Sequence, residues 1–535
     1  MAQVMPVDLV APGAWGLNTE SANTLLAPQW ATVALNAVVS RSGRLAARKG
    51  WANQTTTGIS GNHQIDVLFE YLDEAGASVI ISTANNKIYK NITDFTDAAN
   101  DITSTTAPTA DHWQFLNFNN KILGFQRGHT PIVRTSGDFT DASYTGTGPD
   151  GNCAVAAFGR VWAADADLQT IRYSALLDDT DYSTASGGGT IDMTSVWTGG
   201  MDRIVAIEVI GATLVVFGNN HIVLWADGSG SEIGITASQL EVVDTIEGTG
   251  CIARDSVANT GEGDLIFLSR HGIQSLSRVI EDKNNPVTSL SRHIRADIQE
   301  AVRQQRAADT QFDQVRATFS PEEGLYILNF PVPNKQFVVD ANHPFEDDSG
   351  IVSYPITTWQ LGGPIVGMLT LTTGATYFGA AGVVGKYSEQ SDNGSAYDFE
   401  FQSGWLDWGE LNHRIKMLKE ILASVQIGTG TLVWNWEFDF NGTQHTRSVS
   451  YTGPILAEFN ISEFSDSAGG IGYADPQAPT LVETEFSGAL LIQRKLIPAF
   501  GEGQFIKLGV TASVTGFDVV LQHMSVAPKI GRMVT

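Results

Sequence analysis

The chain has 535 residues, of which 42% are hydrophobic and 17% are charged, a composition that excludes an intrinsically disordered protein and a length that suggests two to four domains. The formal net charge of −26 argues against a protein that grips nucleic acid by neutralising its phosphates, although DNA could slide past such a surface without sticking to it. Two cysteines, Cys153 and Cys251, are too few for a disulfide framework and argue against a cysteine-based zinc site.

The first segment, residues 1–62, is predicted to be an arm. It begins MAQVMPVDLVAPGAWG, with no basic residue before its first apolar stretch, so we expect no secretory signal. Within it we predict one strand over residues 34–40, a turn at 41–43 and a second strand over 44–48, after which Gly50 breaks the pattern. The chain contains no run of about 18 apolar residues, and we therefore expect no membrane span.

A recurring unit fills residues 63–394. Each copy has an apolar strand, a turn, a second strand with an aromatic or branched residue, another turn and a third strand. The copies are residues 67–90, 113–135, 153–174, 204–226, 251–277, 314–340 and 365–387. Repeated antiparallel meanders are typical of a β-propeller, because a single meander cannot bury its own faces. The outermost strands are poorly defined, and the sequence therefore predicts six or seven blades.

One segment departs from the β pattern. Residues 289–312 place Ile294, Ile298, Ala301 and Val302 on one face with charges between them, which predicts an amphipathic helix inserted between the fifth and sixth meanders. Ser291 is a candidate N-cap for this helix.

Residues 395–535 are predicted to form a β-sandwich or sheet domain. The stretch 413–428 is compatible with helix or strand, and we favour a strand because it runs straight into the next β segment. The other predicted strands are residues 397–409, 431–440, 483–492, 505–514 and 518–526.

An acidic cluster in the third meander is the main candidate for chemistry. It contains Asp165, Asp167, Asp178, Asp179 and Asp181. Such carboxylates could bind calcium or supply an acid/base pair, but neither a calcium-loop pattern nor the Asp-box of sialidases is present. We favour turns with solvated carboxylates and predict no catalytic, cofactor or metal site.

Two stretches resemble the tail nozzle proteins of short-tailed bacteriophages, the tail tubular protein B-like or tail-stabilisation family. LNAVVSRSGRLAARKGW, residues 35–51, is similar to that family's N-terminal signature, and FQSGWLDWGELNHRIKMLKEILASVQIG, residues 401–428, is similar to its second one. The matching positions are Asn36, Arg41, Gly43, Arg48, Gly50, Gly404, Trp405, Leu406, Asp407, Arg414, Lys416 and Lys419. The order of arm, propeller and C-terminal β-domain also agrees with the family.

The resemblance implies a structural role and no enzymatic activity. It implies a homohexameric ring below the portal and the tail adaptor, with the terminal segments forming a platform around a channel through which double-stranded DNA passes without specific binding. It also implies contacts to a tail fibre or tail-tip protein and a place in the virion tail, assembled in the host cytoplasm. The alternatives are a propeller hydrolase or lyase that acts on polysaccharide and a monomeric propeller scaffold that binds proteins.

The basic stretches 41–49 and 413–419 are either solvated strand faces or parts of one platform that meets acidic surface on a neighbouring subunit or the adaptor. Trp405 and Trp408 lie three residues apart and point to opposite faces of a regular strand, which places one in the core and the other at an interface. The predicted interface residues are Asn36, Arg41, Arg44, Arg48, Lys49, Trp405, Asp407, Trp408, Arg414, Lys416 and Lys419.

Overall fold

The computed structural model divides the chain into two compact units. The terminal unit combines Met1–Arg48 with Ala396–Thr535, and the propeller unit is Lys49–Ser395. The structure describes residues 7–103, 112–151, 153–227, 240–261, 263–281, 289–347, 350–407, 414–452, 492–526 and 529–533.

The described part of the propeller unit contains seven antiparallel groups of three or four strands, which we number as blades in the chain order of their first strands. Blade 1 is Val67–Leu72, Ser78–Ala84 and Lys87–Tyr89; blade 2 is Gln114–Phe118, Lys121–Phe125, Ile132–Arg134 and Thr140–Asp141. Blade 3 is Ala154–Ala157, Arg160–Ala164, Thr170–Tyr173 and Gly189–Asp192; blade 4 is Ile204–Ile210, Thr213–Gly218, His221–Asp227 and Leu240–Glu247. Blade 5 is Ala258–Asn259, Leu265–Ser269 and Gly272–Ser275; blade 6 is Arg316–Ser320, Leu325–Phe330, Lys335–Asp340 and Ile356–Trp359. Blade 7 is Met368–Thr370, Thr376–Gly379, Val384–Tyr387 and Trp51–Asn53.

Tight turns between strands follow from local sequence. Asn85 and Asn86 in blade 1 have φ angles of 54° and 58°, and Asn119 and Asn120 in blade 2 have 46° and 58°. Asparagine tolerates this left-handed conformation better than most residues, and two such residues in succession match the twist of a hairpin.

The first strands of the blades form a closed circle. Those of blades 1, 2, 3 and 4 contact one another in turn, the 3₁₀ turn Arg254–Ser256 links blade 4 to blade 6, and the circle returns through blade 7 to blade 1. Most buried apolar side chains lie between neighbouring blades: Trp162 of blade 3 belongs to one cluster with Trp225 of blade 4. The predicted β-propeller is therefore confirmed, and the seven predicted meanders correspond to the seven blades.

The predicted boundary at residue 62 is wrong. Trp51–Asn53 pairs antiparallel with Gly385–Tyr387 and supplies the fourth strand of blade 7. This pairing brings the two ends of the propeller unit together in one sheet, so residues 49–62 belong to the propeller and the arm ends at Arg48. The C-terminal boundary of the propeller unit is Ser395, one residue after the predicted boundary at 394.

The predicted helical insertion is present but shorter. A 3₁₀ turn, Arg292–Ile294, leads into the α-helix Arg295–Ala308, here called α2, which buries Ile298, Ala301 and Gln305. Ser291 does not cap α2, because its Oγ accepts a hydrogen bond from the backbone N–H of Ile273 at 2.9 Å. A short helix, α1, spans Leu276–Glu281. The remaining 3₁₀ turns are Thr184–Ser186 and Met193–Ser195, and Phe345–Glu346 pairs with Val352–Ser353.

The described part of the terminal unit contains two main groups of paired strands. The first runs in the order Ile492–Gly503, Arg414–Ile427, Val519–Val526, Leu45–Ala47 and Ala37–Val39, with Val7–Val10 paired to Val519–Val526 and Lys529–Met533 paired to Arg414–Ile427. The second runs in the order Val33–Leu35, Tyr397–Asp407, Phe505–Val514, Gly430–Phe438 and His445–Tyr451, and Gly16–Leu17 pairs in parallel with Trp30–Ala31 nearby.

The C-terminal strand predictions are largely confirmed. Residues 414–427 form a strand, as favoured over the helix, and 505–514 matches its prediction at both ends. Of the predicted strand 483–492, only Ile492 lies within the described residues. No helix in the described ranges is long and apolar enough to cross a membrane.

Candidate functional site

A buried junction joins the arm to the C-terminal strands of the terminal unit. Asn36 interrupts the predicted strand 34–40, because its φ of 52° sends Val33–Leu35 and Ala37–Val39 into different sheets. Its side-chain amide donates to the carbonyl oxygen of Asp398 at 2.7 Å, and its Oδ1 accepts from Nε of Arg48 at 2.9 Å. The guanidinium of Arg48 lies 4.2 Å from the ring centre of Tyr397, whose hydroxyl donates to the carbonyl oxygen of Arg48.

The predicted interface role of Asn36 and Arg48 is therefore corrected. Arg48 is fully buried and Asn36 is 3% exposed, so neither side chain is available to a neighbouring subunit. Burial of a guanidinium is costly unless it is paired, and the amide of Asn36 and the ring of Tyr397 supply partners. These residues specify how the arm meets the C-terminal strands.

The other basic residues of the arm have three different environments. Arg41 is exposed at the tip of the hairpin formed by Ala37–Val39 and Leu45–Ala47, and Arg44 is half-buried beside it. Lys49 belongs to the propeller unit, where its ammonium pairs with Glu323 and lies 5.9 Å from the ring centre of Tyr387. The stretch 41–49 is thus not one continuous surface, since it is divided between the two units.

Trp405 is a core residue. It is 7% exposed, its ring centre lies 4.3 Å from that of Phe440, and its backbone N–H donates to the carbonyl oxygen of Asn23 at 2.8 Å. Gly404 is required beside it, because a Cβ there would lie 2.6 Å from that same carbonyl oxygen. The interface prediction for Trp405 is therefore wrong, and Trp408 lies outside the described residues.

The remaining candidates lie at the strand Arg414–Ile427 and at the end of the strand before it. Asp407 is exposed, and Lys419 is exposed at an irregularity where the register shifts between Leu418 and Glu420. The backbones of Arg414 and Lys416 pair with Met533 and Ile530. The structure brings Arg414, Lys416 and Lys419 onto one strand. Among the predicted basic interface residues of the terminal unit whose side chains are described, Arg41 and Lys419 are exposed.

The carboxylates of the acidic cluster have separate partners. Asp165 pairs with Arg172 at 2.6 Å, and Asp179 pairs with Lys121 at 2.7 Å. Asp167, Asp178 and Asp181 each accept the backbone N–H two residues ahead, the geometry of an Asx turn. The described residues contain no group of three or more His, Cys, Asp or Glu side chains placed to hold a metal ion.

A largely buried charge cluster, which the sequence did not predict, lies at the 3₁₀ turn Arg254–Ser256. Asp255 forms two hydrogen bonds with Arg254, both 2.9 Å, and its Oδ2 lies 2.9 Å from Nη1 of Arg316. Burial disfavours the charge on Asp255, but Arg254 and Arg316 hold the pKa of its carboxyl below the ordinary value. Burial, reinforced by the negative charge of Asp255, raises the pKa of Glu208 from 4.5 to about 7. Glu208 and Arg316 lie far from Arg254 and Asp255 in the sequence, and the circular closure brings them together.

The comparisons with known proteins identify no family for this chain. No protein-family model matches the chain, and no curated protein matches it. The WD40 β-propeller domain of Doa1 is similar at 11% identity and a TM-score of 0.37, over 64% of this chain and 98% of that one. Streptogramin B lyase is similar at 13% identity and a TM-score of 0.33, over 62% of this chain and 95% of the other. At these identities and TM-scores the likeness assigns neither a family nor a function to this chain.

Proposed function

We propose that the protein is a structural virion protein, a subunit of the tail nozzle ring of a short-tailed bacteriophage. The observation that carries the proposal is the junction between the two chain ends. Four residues of the two resembling signatures, Asn36, Arg48, Gly50 and Gly404, occupy positions with buried hydrogen bonds or close backbone approaches. Residues of this kind fix the path of the backbone, as expected for a family whose members share an architecture and not a catalytic site.

The proposed mechanism is one of assembly geometry. Identical subunits make heterologous contacts that close into a ring, expected to be a homohexamer around the DNA channel. The propeller acts as a rigid strut, because its seventh sheet is closed by a strand from the other end of the unit. The terminal unit supplies the collar that docks to the tail adaptor, and a tail fibre or tail-tip protein binds elsewhere on the ring.

The charge distribution supports passage of DNA without retention. The chain carries 58 acidic and 32 basic residues, and negative surface repels the phosphate backbone. In this proposal, the exposed Arg41 and Lys419 meet acidic surface on a neighbouring subunit or the adaptor.

Incorporation of variants into particles tests this assignment of the two basic residues. We expect Arg41→Gln combined with Lys419→Gln to lower the number of copies per purified particle at least severalfold, because both charges lie at the collar. Quantitative mass spectrometry of purified particles measures the copy number. The matched control is Arg295→Gln with Arg303→Gln, which removes two exposed charges from α2. Equal incorporation of both double variants would contradict a collar role for Arg41 and Lys419, and absence of the wild-type chain from tailed particles would contradict the proposed function.

A further inference from the structure

A cavity of about 570 Å³ opens on one face of the propeller unit, and we call it the axial cavity. Five arginines line it together with a single acidic residue, Asp313. The five are Arg127, Arg203, Arg254, Arg270 and Arg306. This concentration of positive charge contrasts with a chain in which acidic residues outnumber basic ones by 58 to 32.

Blade topology explains why residues so distant in sequence meet. In an antiparallel meander, the connection into the first strand and the turn between the second and third strands lie on the same side of the disc. Arg127 and Arg270 lie in second-to-third-strand turns of blades 2 and 5, Arg203 immediately precedes blade 4, and Asp313 immediately precedes blade 6.

Contacts across the circle place the cavity at its centre. Nη2 of Arg127 lies 3.9 Å from Oδ1 of Asp313, which joins blade 2 to the chain leading into blade 6. Nη2 of Arg254, ahead of blade 5, donates to the carbonyl oxygen of His112, ahead of blade 2, at 3.2 Å. Blades 2 and 5 are not neighbours in a circle of seven, so these contacts span the axis.

The five arginines differ in whether their charge already has a partner within the protein. Arg254 forms its ion pair with Asp255, and Arg306 lies 5.1 Å from the ring centre of Phe312. Arg203 and Arg270 are both exposed, and neither side chain has an ion pair within the described ranges. Two guanidinium groups therefore face the cavity with their charge uncompensated.

The wall that carries Arg203 is rigid. The carboxylate of Asp202 accepts backbone hydrogen bonds from Arg203 at 2.8 Å, Asn219 at 3.1 Å and Asn220 at 2.7 Å, and it lies 2.8 Å from Nδ1 of His221. These hydrogen bonds help hold the pKa of Asp202 below its ordinary value even though burial opposes its charge. The two strand connections that form this wall are fixed to each other before any ligand binds.

We propose that the axial cavity binds a compact multivalent phosphate compound, such as a nucleotide or a short polyphosphate. Guanidinium groups bind phosphate oxygens through paired hydrogen bonds, and several arginines in one concave site favour an anion with several charges. The volume lies within the range of small-molecule sites, about 300–1,000 Å³. This inference does not depend on the proposed function, because it concerns only the propeller unit.

Isothermal titration calorimetry of the full chain with inorganic tripolyphosphate tests the inference. We expect saturable binding with one site per chain. The double variant Arg203→Gln with Arg270→Gln should weaken binding by roughly tenfold to a thousandfold, because it removes two charged hydrogen-bond donors. The control Arg447→Gln with Arg494→Gln removes the same charge from exposed positions of the terminal unit and should leave the affinity unchanged. Circular dichroism checks that each variant is folded.

The competing outcomes are separable. A one-site isotherm that citrate does not reproduce, lost in the first double variant and kept in the control, supports the proposal. Equal weakening in both double variants would mean that net charge alone governs binding, and would overturn it. No heat with tripolyphosphate, stronger binding of citrate, or binding of duplex DNA alone would also overturn it. A failure here leaves the nozzle proposal untouched, since ring formation is measured separately.

Discussion

Asn36 shows how one residue determines the path of the arm. Its left-handed backbone allows the chain to pass from one sheet to the other, and its side chain uses both polar ends in buried hydrogen bonds. An alternating apolar pattern cannot reveal such a break, because the residues on both sides of Asn36 are good strand formers. The signal in the sequence is the asparagine itself, which tolerates positive φ better than other non-glycine residues.

Replacement of Asn36 by alanine is predicted to destabilise the protein more than the same change at Asn85. Both substitutions put alanine at a positive φ, which costs about 1 kcal/mol or more at either site. Only Asn36→Ala also removes two buried hydrogen bonds, those to the carbonyl oxygen of Asp398 and to Nε of Arg48, which adds about 1–3 kcal/mol. Chemical denaturation compares the two free energies of unfolding. If both variants lost the same free energy of unfolding, the side-chain hydrogen bonds of Asn36 would contribute nothing to stability.

Glu208 is predicted to make stability depend on pH. Its carboxyl has a pKa of about 7 in the folded chain against 4.5 ordinarily, so the folded state retains a proton that the unfolded state releases. The contribution is therefore favourable below about pH 4.5 and is lost as the pH rises through 7. Glu208→Gln should leave the free energy of unfolding almost unchanged at pH 4.5 and raise it at pH 8 by up to about 3 kcal/mol.

Chemical denaturation between pH 4.5 and pH 8 measures this change in the free energy of unfolding. Glu241→Gln is the control, because Glu241 is exposed on the outermost strand of the same blade. A pH-independent difference between wild type and Glu208→Gln would rule out the proposed titration.

At the scale of elements, the closing strand of blade 7 depends on close backbone packing. The hydrogen of Gly50 leaves space for the carbonyl of Ser391, because a Cβ at Gly50 would lie 2.0 Å from that oxygen. Gly385 on the adjacent strand is similarly constrained, since its Cβ would lie 2.1 Å from the indole of Trp51. Both glycines allow Trp51–Asn53 to reach its place in the sheet.

Gly50→Ala is predicted to lower the stability of the propeller by about 2 kcal/mol or more, because the added methyl group forces backbone apart next to the closing strand. The matched control is Gly363→Ala, where a Cβ would meet no atom within 4 Å and φ is not positive. Thermal unfolding followed by near-ultraviolet circular dichroism measures both variants. If Gly50→Ala were as stable as Gly363→Ala, the closing strand would not be held in the described way.

Local sequence patterns predicted most strands of the propeller but few features of the candidate sites. The meanders were predictable because each strand pairs with its sequence neighbour and is joined to it by turn residues such as Asn119 and Asn120. Trp51–Asn53 was missed because its partner, Gly385–Tyr387, lies more than 300 residues away. The arginines of the axial cavity were missed for the same reason, since no two of them are neighbours in sequence. Burial also reversed the predictions for Arg48 and Trp405, because residue type alone does not distinguish a buried cation or indole from an exposed one.

The whole molecule consists of two units that are each closed by pairing between segments far apart in the sequence. The seven-bladed unit is closed by strand pairing between its own ends, and the terminal unit is built from both ends of the chain. Pairing between segments distant in sequence therefore holds each unit together. In the proposed ring the strongly acidic chain keeps DNA from adhering to the channel.

Cryo-electron microscopy of the particle that carries this chain is the decisive test of the nozzle proposal. We expect a six-fold ring of this protein, coaxial with the DNA channel and below the adaptor, with Arg41 and Lys419 at the collar. A single propeller without rotational symmetry, or a position away from the tail axis, would contradict it.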